Sequence, residues 1–222
     1  MVIERVSTGV PGLDELIEGG FVRGCSVLVS GYPGSGKTLL GFHFLLDGLK
    51  KNENGIYFSL EESKEDLLQD VERFGWREFF EQKEKEGKFL ICNILPSSIE
   101  KISSEIIRYV NLIQPKRIVI DSVTLIENAW ESYQDIGKLR RSVYSLIKEL
   151  KNKKITVMLL AEAKKDEISF EEFLVDGVIK LFYLAQSLPR AIQITKMRKT
   201  KHTLDLIPFE ITENGIQVKK II

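Results

Sequence analysis

The segment Gly31-Tyr-Pro-Gly-Ser-Gly-Lys37-Thr38 restricts what this chain can fold into more than any other stretch. It fits the P-loop pattern of glycine, four residues, then Gly-Lys-Thr without a mismatch. Before it lies Ser26-Val-Leu-Val-Ser30, an apolar run read as a buried strand; after it lies Leu39-Leu-Gly-Phe-His-Phe-Leu-Leu46, read as a buried helix. In a strand, glycine loop, helix context the glycines let backbone N–H groups turn inward around an anion. The helix adds its positive end. Gly31, Pro33, Gly34, Ser35, Gly36, Lys37, Thr38 and Leu39 are therefore the expected contacts to a nucleotide. Lys37 would reach the β- and γ-phosphates of ATP, and the Thr38 hydroxyl would ligate Mg²⁺. The alternative is a glycine-rich turn with a surface lysine, which requires both flanking elements to be coincidental.

Strand and helix patterns alternate through most of the chain. Gly55 to Leu60 reads as a strand, and Ser63 starts a helix, with Asp66 completing a capping box and Leu67, Leu68, Val71 and Phe74 on its apolar face. Glu81 to Lys88 is a charge run, read as a solvated helix end and turn. Phe89 to Leu95 reads as a strand and Ser98 to Ile113 as an amphipathic helix ended by Pro115. Arg117 to Asp121 is a compact strand, Ile136 to Leu150 a long helix, and Ile155 to Ala161 another buried strand. From Gly177 the style changes: Val178 to Ala185, Ala191 to Met197, Leu204 to Ile211 and Ile216 to Lys219 read as successive strands, with Asn214-Gly215 as a hairpin turn. The expected fold is α/β: one domain over 1–222, with a mostly parallel central sheet, helices on both faces and a C-terminal antiparallel extension.

Bulk properties fit one such domain. The chain has 222 residues and zero formal net charge, which argues against a protein coated in basic charge for nucleic acid. Cys25 and Cys92 lie in apolar stretches and read as buried thiols of a reducing compartment. With no apolar run of membrane-spanning length and no signal-peptide pattern at the start, the expected location is cytoplasmic, away from any membrane.

A P-loop needs a partner for the Mg²⁺ water shell, usually an aspartate ending a buried strand. Asp121, after Arg117-Ile-Val-Ile, fits, with Ser122 beside it. The other reading of Asp121 is a helix cap at a strand end. Hydrolysis also needs a group that orients water. Glu61 and Glu62 follow the Gly55–Leu60 strand, and in a parallel sheet the strand carboxyl ends gather where ligands bind. One of the two could instead cap the next helix.

Further segments bring a family into view: Ser7-Thr-Gly-Val-Pro-Gly-Leu-Asp14, Glu18-Gly-Gly20, Phe58-Ser-Leu-Glu-Glu-Ser63, Phe74-Gly-Trp76, Ile120-Asp-Ser-Val-Thr124, Glu171-Glu-Phe-Leu-Val-Asp176, Lys196-Met-Arg-Lys-Thr-Lys-His202 and Phe209-Glu-Ile-Thr-Glu-Asn-Gly215. In this order, over nearly the whole chain, they resemble a single KaiC-type domain of the RecA superfamily. The resemblance implies a RecA-like core in a ring, commonly a hexamer, with ATP bound between subunits. It implies that Glu61 is catalytic with Glu62 as helper, that Lys196 and Arg198 reach the neighbour's nucleotide, and that His202 lies near its ribose. A cation supplied across an interface can stabilise charge on the transferring phosphoryl group. Without the resemblance, Lys196 and Arg198 read as solvated charges on an edge strand and His202 as a turn residue.

The chain also departs from the family's clock protein, which has two such domains. Glu172 and Phe173 stand where one of them carries its phosphoacceptor pair, so no autophosphorylation of that kind is expected. The expected function is Mg²⁺-dependent ATP binding and slow hydrolysis to ADP and phosphate at subunit interfaces, coupled to conformational change or signalling. The alternatives are an ATP-gated assembly scaffold that a protein partner reads, and a DNA-binding recombinase relative. Against the last, the candidate central loop Ala163 to Glu172 carries two lysines and four acids, a poor match to phosphates. Trp130 and Tyr133 are candidates for a protein contact or for core packing.

Overall fold

The computed structural model describes residues 3–95, 98–124, 136–163, 171–183 and 190–219. Trp130, Tyr133 and most of the Ala163–Glu172 loop lie outside them. The parallel strands are β3 (Ser26–Gly31), β4 (Gly55–Ser59), β5 (Phe89–Asn93), β6 (Arg117–Asp121), β7 (Thr156–Glu162) and β8 (Gly177–Phe182). β9 (Ala191–Met197), β10 (Ile207–Thr212) and β11 (Gly215–Val218) extend the sheet antiparallel. The order across the nine-stranded sheet is β11-β10-β9-β8-β3-β7-β6-β4-β5. A small ribbon of β1 (Arg5–Val6) and β2 (Phe21–Val22) precedes it.

Side chains alternate between two cores, as a sheet covered on both faces requires. Val27, Val29, Tyr57 and Val119 join α1 (Lys37–Lys50), α2 (Lys64–Glu72) and α3 (Arg77–Lys85) on one face. Leu28, Ile56, Phe58, Ile118 and Ile120 join α4 (Ile99–Ile113) and α5 (Ile136–Asn152) on the other. Ten of the 14 residues of α1 are buried, so it is apolar nearly all round and central to its layer.

Local chemistry sets the boundaries. The Ser63 hydroxyl accepts from Asp66 N–H at 3.2 Å, as expected, but Asp66 is too short to close the box on the backbone and takes the Ser63 hydroxyl proton instead, at 2.6 Å. Ser98 caps α4 in the same way. Residues 81–85 of the Glu81–Lys88 charge run belong to α3, whose only buried residue, Phe80, packs on Phe42 at 5.2 Å and Phe89 at 4.8 Å.

Three expectations near the C-terminus are corrected. β8 pairs parallel with β3, so the antiparallel extension begins only at β9. The strand expected from Leu204 starts at Ile207, because Leu204 and Leu206 are exposed. The last hairpin turns on Glu213-Asn214, since Thr212 pairs with Gly215; Gly215 follows the turn with φ 96°, in the left-handed region that favours glycine.

Candidate functional site

The loop from β3 to α1 is built around glycines. Gly34 and Gly36 have φ of 76° and 105°, the left-handed region, and Gly36 caps α1 with no side chain over the helix end. The exposed N–H groups of the first turn are thus left for a ligand. Ser35 is fully buried, and its hydroxyl has no hydrogen-bond partner among the described residues. The Lys37 ammonium donates to the carbonyls of Gly31 at 2.9 Å and Tyr32 at 3.2 Å. Burial lowers its pKa, opposed by the carboxylates of Asp121, Glu162 and Glu61.

β7 lies between β3 and β6, so Asp121 faces the loop across one strand. Its Oδ2 accepts from the Thr38 hydroxyl at 3.2 Å and from the Tyr57 hydroxyl at 2.5 Å. Burial raises the Asp121 pKa, while those two donors and Lys37 oppose the rise. Glu61 and Glu62 extend from β4, next to β6, where the Ser59 hydroxyl donates to the Glu62 carbonyl at 2.6 Å. Burial raises the Glu62 pKa, with Asp121, Asp70, Glu61 and Asp66 adding to it.

Two adjoining pockets result. One is lined by Pro33, Gly34, Lys37, Thr38, Ser59, Glu61, Glu62, Asp121, Ser122 and Glu162. The other runs from Gly36, Thr38 and Leu39 to Gln69, Asp70, Arg73, Phe74, Arg190 and Ile211. Gly34, Lys37, Thr38 and Glu62 border both. The first suits a phosphate chain with its cation; the second, with an aromatic wall, suits a flat base. Among the described residues no group of three or more His, Cys, Asp or Glu could hold a metal ion alone. A Mg²⁺ here fits Thr38, with Asp121 through water, and needs phosphate oxygens to complete its shell. The glycine cradle and the unpartnered Ser35 hydroxyl fit that nucleotide.

Lys196, Arg198 and His202 do not join this site within the chain. Lys196 pairs with Val178, which pairs with Leu28, well below the loop end of β3. Its ammonium donates to the Glu172 carbonyl at 2.7 Å, and burial, with Arg198 nearby, lowers its pKa. His202 bonds through Nδ1 to the Thr200 carbonyl at 3.1 Å.

Three residues were missed by sequence reasoning. Glu162 ends β7 as Asp121 ends β6, so the strand-end rule applied to Asp121 would have found it. Arg190 precedes β9 and donates through Nη2 to the Gly34 carbonyl at 3.4 Å, with the Tyr183 ring 5.5 Å away. Its Nε is buried without a hydrogen-bond partner among the described residues. Tyr57 read only as part of an apolar strand.

A glycine loop that feeds a central helix, with an acid across one strand and carboxylates on the next, defines a RecA-like P-loop ATPase fold. Residues 6–221 match the KaiC ATPase family model, and the chain belongs to that family. It is 34% identical to a UPF0273 protein, MK0039, of Methanopyrus kandleri, over 98% of this chain and 93% of that one. It is 29% identical to the circadian clock oscillator protein KaiC of a Nostoc species, over 97% of this chain but 44% of that one. Among solved structures, the KaiC-like protein PH0186 of Pyrococcus horikoshii matches with a TM-score of 0.86 and 37% identity, over 99% of this chain and 100% of that one. No helix among the described residues is long and apolar enough to cross a membrane.

Proposed function

We propose that this chain binds Mg²⁺-ATP at the P-loop and hydrolyses it slowly, in a homo-oligomeric ring whose sites are shared between subunits. The observation that carries the reading is one pocket in which Lys37, Thr38, Asp121 and Glu61 all meet. The Phe74–Arg190 pocket takes the adenine end. Lys37 moves from the loop carbonyls to the β- and γ-phosphates. The cation, when bound, neutralises charge on the same oxygens. Glu61 orients a water and takes its proton as the oxygen attacks the γ-phosphorus. The bond to the β–γ bridging oxygen breaks, and ADP and phosphate leave. Glu62, whose pKa burial raises, assists as helper.

Lys196 and Arg198 act on the neighbour's nucleotide, and His202 lies by its ribose. What supports this is their distance from the P-loop of their own chain. Hydrolysis is coupled to a conformational change that a protein partner reads.

The test is steady-state ATP hydrolysis per subunit across a protein dilution series with Mg²⁺, beside Glu61→Gln. The specific rate should climb with concentration and fall by about 10²-fold or more in the variant. A wild-type rate no higher than the variant's, with ATP bound in both, sinks the enzyme and leaves an ATP-gated scaffold.

A further inference from the structure

Tyr57 is fully buried in the middle of β4, where its neighbours Ile56 and Phe58 are purely apolar. Packing alone asks only for a ring there. The hydroxyl is surplus to packing, and a buried hydroxyl is costly unless it is bonded. Its partner is Oδ2 of Asp121 at 2.5 Å, within the range of a charge-assisted O–H···O⁻ bond. The ring cannot swing away: it stacks on Phe42 with centroids 4.8 Å apart and planes 19° apart. Phe42 lies one helical turn beyond Thr38 on α1, so the helix that presents the Thr38 hydroxyl also clamps the Tyr57 ring. Tyr57 lines neither of the two pockets described above.

We propose that Tyr57 is a positioning residue for the metal site: its hydroxyl and that of Thr38 hold Oδ2 of Asp121 and leave Oδ1 turned to the cation's water shell. Oδ2 receives both hydroxyl bonds. Oδ1 receives no hydrogen bond among the described residues. Two donors on one oxygen fix the carboxylate plane; Thr38 alone, at 3.2 Å, leaves it free to turn. The Thr38 lone pairs stay available to the metal while its proton is held by Asp121. Partners that orient a metal-binding carboxylate are typically worth 10–100-fold in metal affinity.

The inference rests on the ATP site proposed above, and one titration separates the two. Thermal stabilisation by ATP is followed against Mg²⁺ concentration in wild type and Tyr57→Phe, which keeps the ring and its stacking. Bound Mn²⁺ is counted by EPR in the same samples. Tyr57→Phe should raise the Mg²⁺ midpoint about tenfold and weaken Mn²⁺ binding alike, with ATP affinity in EDTA unchanged and full stabilisation recovered at saturating Mg²⁺. Equal midpoints in the two proteins overturn the inference and leave the ATP site standing. A wild type that ATP and Mg²⁺ do not stabilise overturns both. A second readout needs no variant. In wild-type protein labelled at the tyrosine Cζ, adding Mg²⁺ to the ATP-loaded form should shift the resonance of the carboxylate-bonded phenol. A spectrum that Mg²⁺ leaves unchanged counts against the role even if Tyr57→Phe does not fold.

Discussion

Arg190 reaches the P-loop from the start of a strand far along the chain, bonding the Gly34 carbonyl with a buried Nε behind it that has no partner among the described residues. A guanidinium in that position gains most from a ligand acceptor, because charge-assisted bonds are about twice as strong as neutral ones. Replacing Arg190 with Met should weaken ATP binding about tenfold, as titration calorimetry would register, while thermal stability without nucleotide changes little. Equal affinities would remove Arg190 from the site. Residues at this scale were legible in the sequence only where a local rule exists. The P-loop residues follow from spacing, and Asp121, Glu61 and Glu62 from their places after apolar strands. Arg190 and Tyr57 answer to no such rule. Each bonds a residue distant in sequence, 156 positions for Arg190 and Gly34, 64 for Tyr57 and Asp121.

Between elements, His43 on α1 joins two separate segments. Its Nδ1–H donates to the Gly9 carbonyl at 3.0 Å, and its Nε2 accepts from the Ile216 N–H of β11 at 2.8 Å. The Trp76 ring meets it edge-on at 4.7 Å. The bond accepted at Nε2 requires a neutral ring, since a proton there would oppose the Ile216 N–H. Burial accordingly pushes the His43 pKa down from 6.5 to about 4. Between those values the unfolded chain holds a proton that the folded chain does not. The stability tied to neutral His43 is therefore complete above pH 6.5 and is lost as pH falls toward 4, by about 3 kcal/mol in all. Urea unfolding across that window should show wild type losing more stability than His43→Phe, and parallel pH curves would discount the clamp. The sequence showed α1 and the final hairpin but not this link. A histidine inside an apolar helix gives no sign of its partner. The same limit explains α3: its only buried residue is Phe80, too little for a period, so charge dominated the reading. Leu204 and Leu206 misled in the other direction, being apolar but exposed.

At the scale of the whole molecule, β9 starts just after Arg190, which bonds the P-loop, and ends beside the first residues of β8, where Lys196 pairs with Val178 and Arg198 follows the last strand residue. Six residues of extended chain separate Arg190 from Lys196, about 20 Å at the usual rise per residue. One strand thus has a cation beside the P-loop just before its start and other cations at its opposite end, at the level of Leu28. The parallel core that frames it was legible because its strands are buried on both faces and read as unbroken apolar runs. The proposed sharing of sites rests on the family resemblance instead, because a single chain's own pattern holds no information about its neighbour. Mixing separates the possibilities. Lys37→Ala subunits lack a working P-loop but keep Arg198; Arg198→Ala subunits have the reverse defect. If each site takes its P-loop from one subunit and Arg198 from the next, each variant alone is inactive. A one-to-one mixture assembled at random should then recover about a quarter of the wild-type rate, since only interfaces that join the two intact halves work. If Arg198 served its own chain or no site at all, the mixture would show no more than the average of the two variants measured apart.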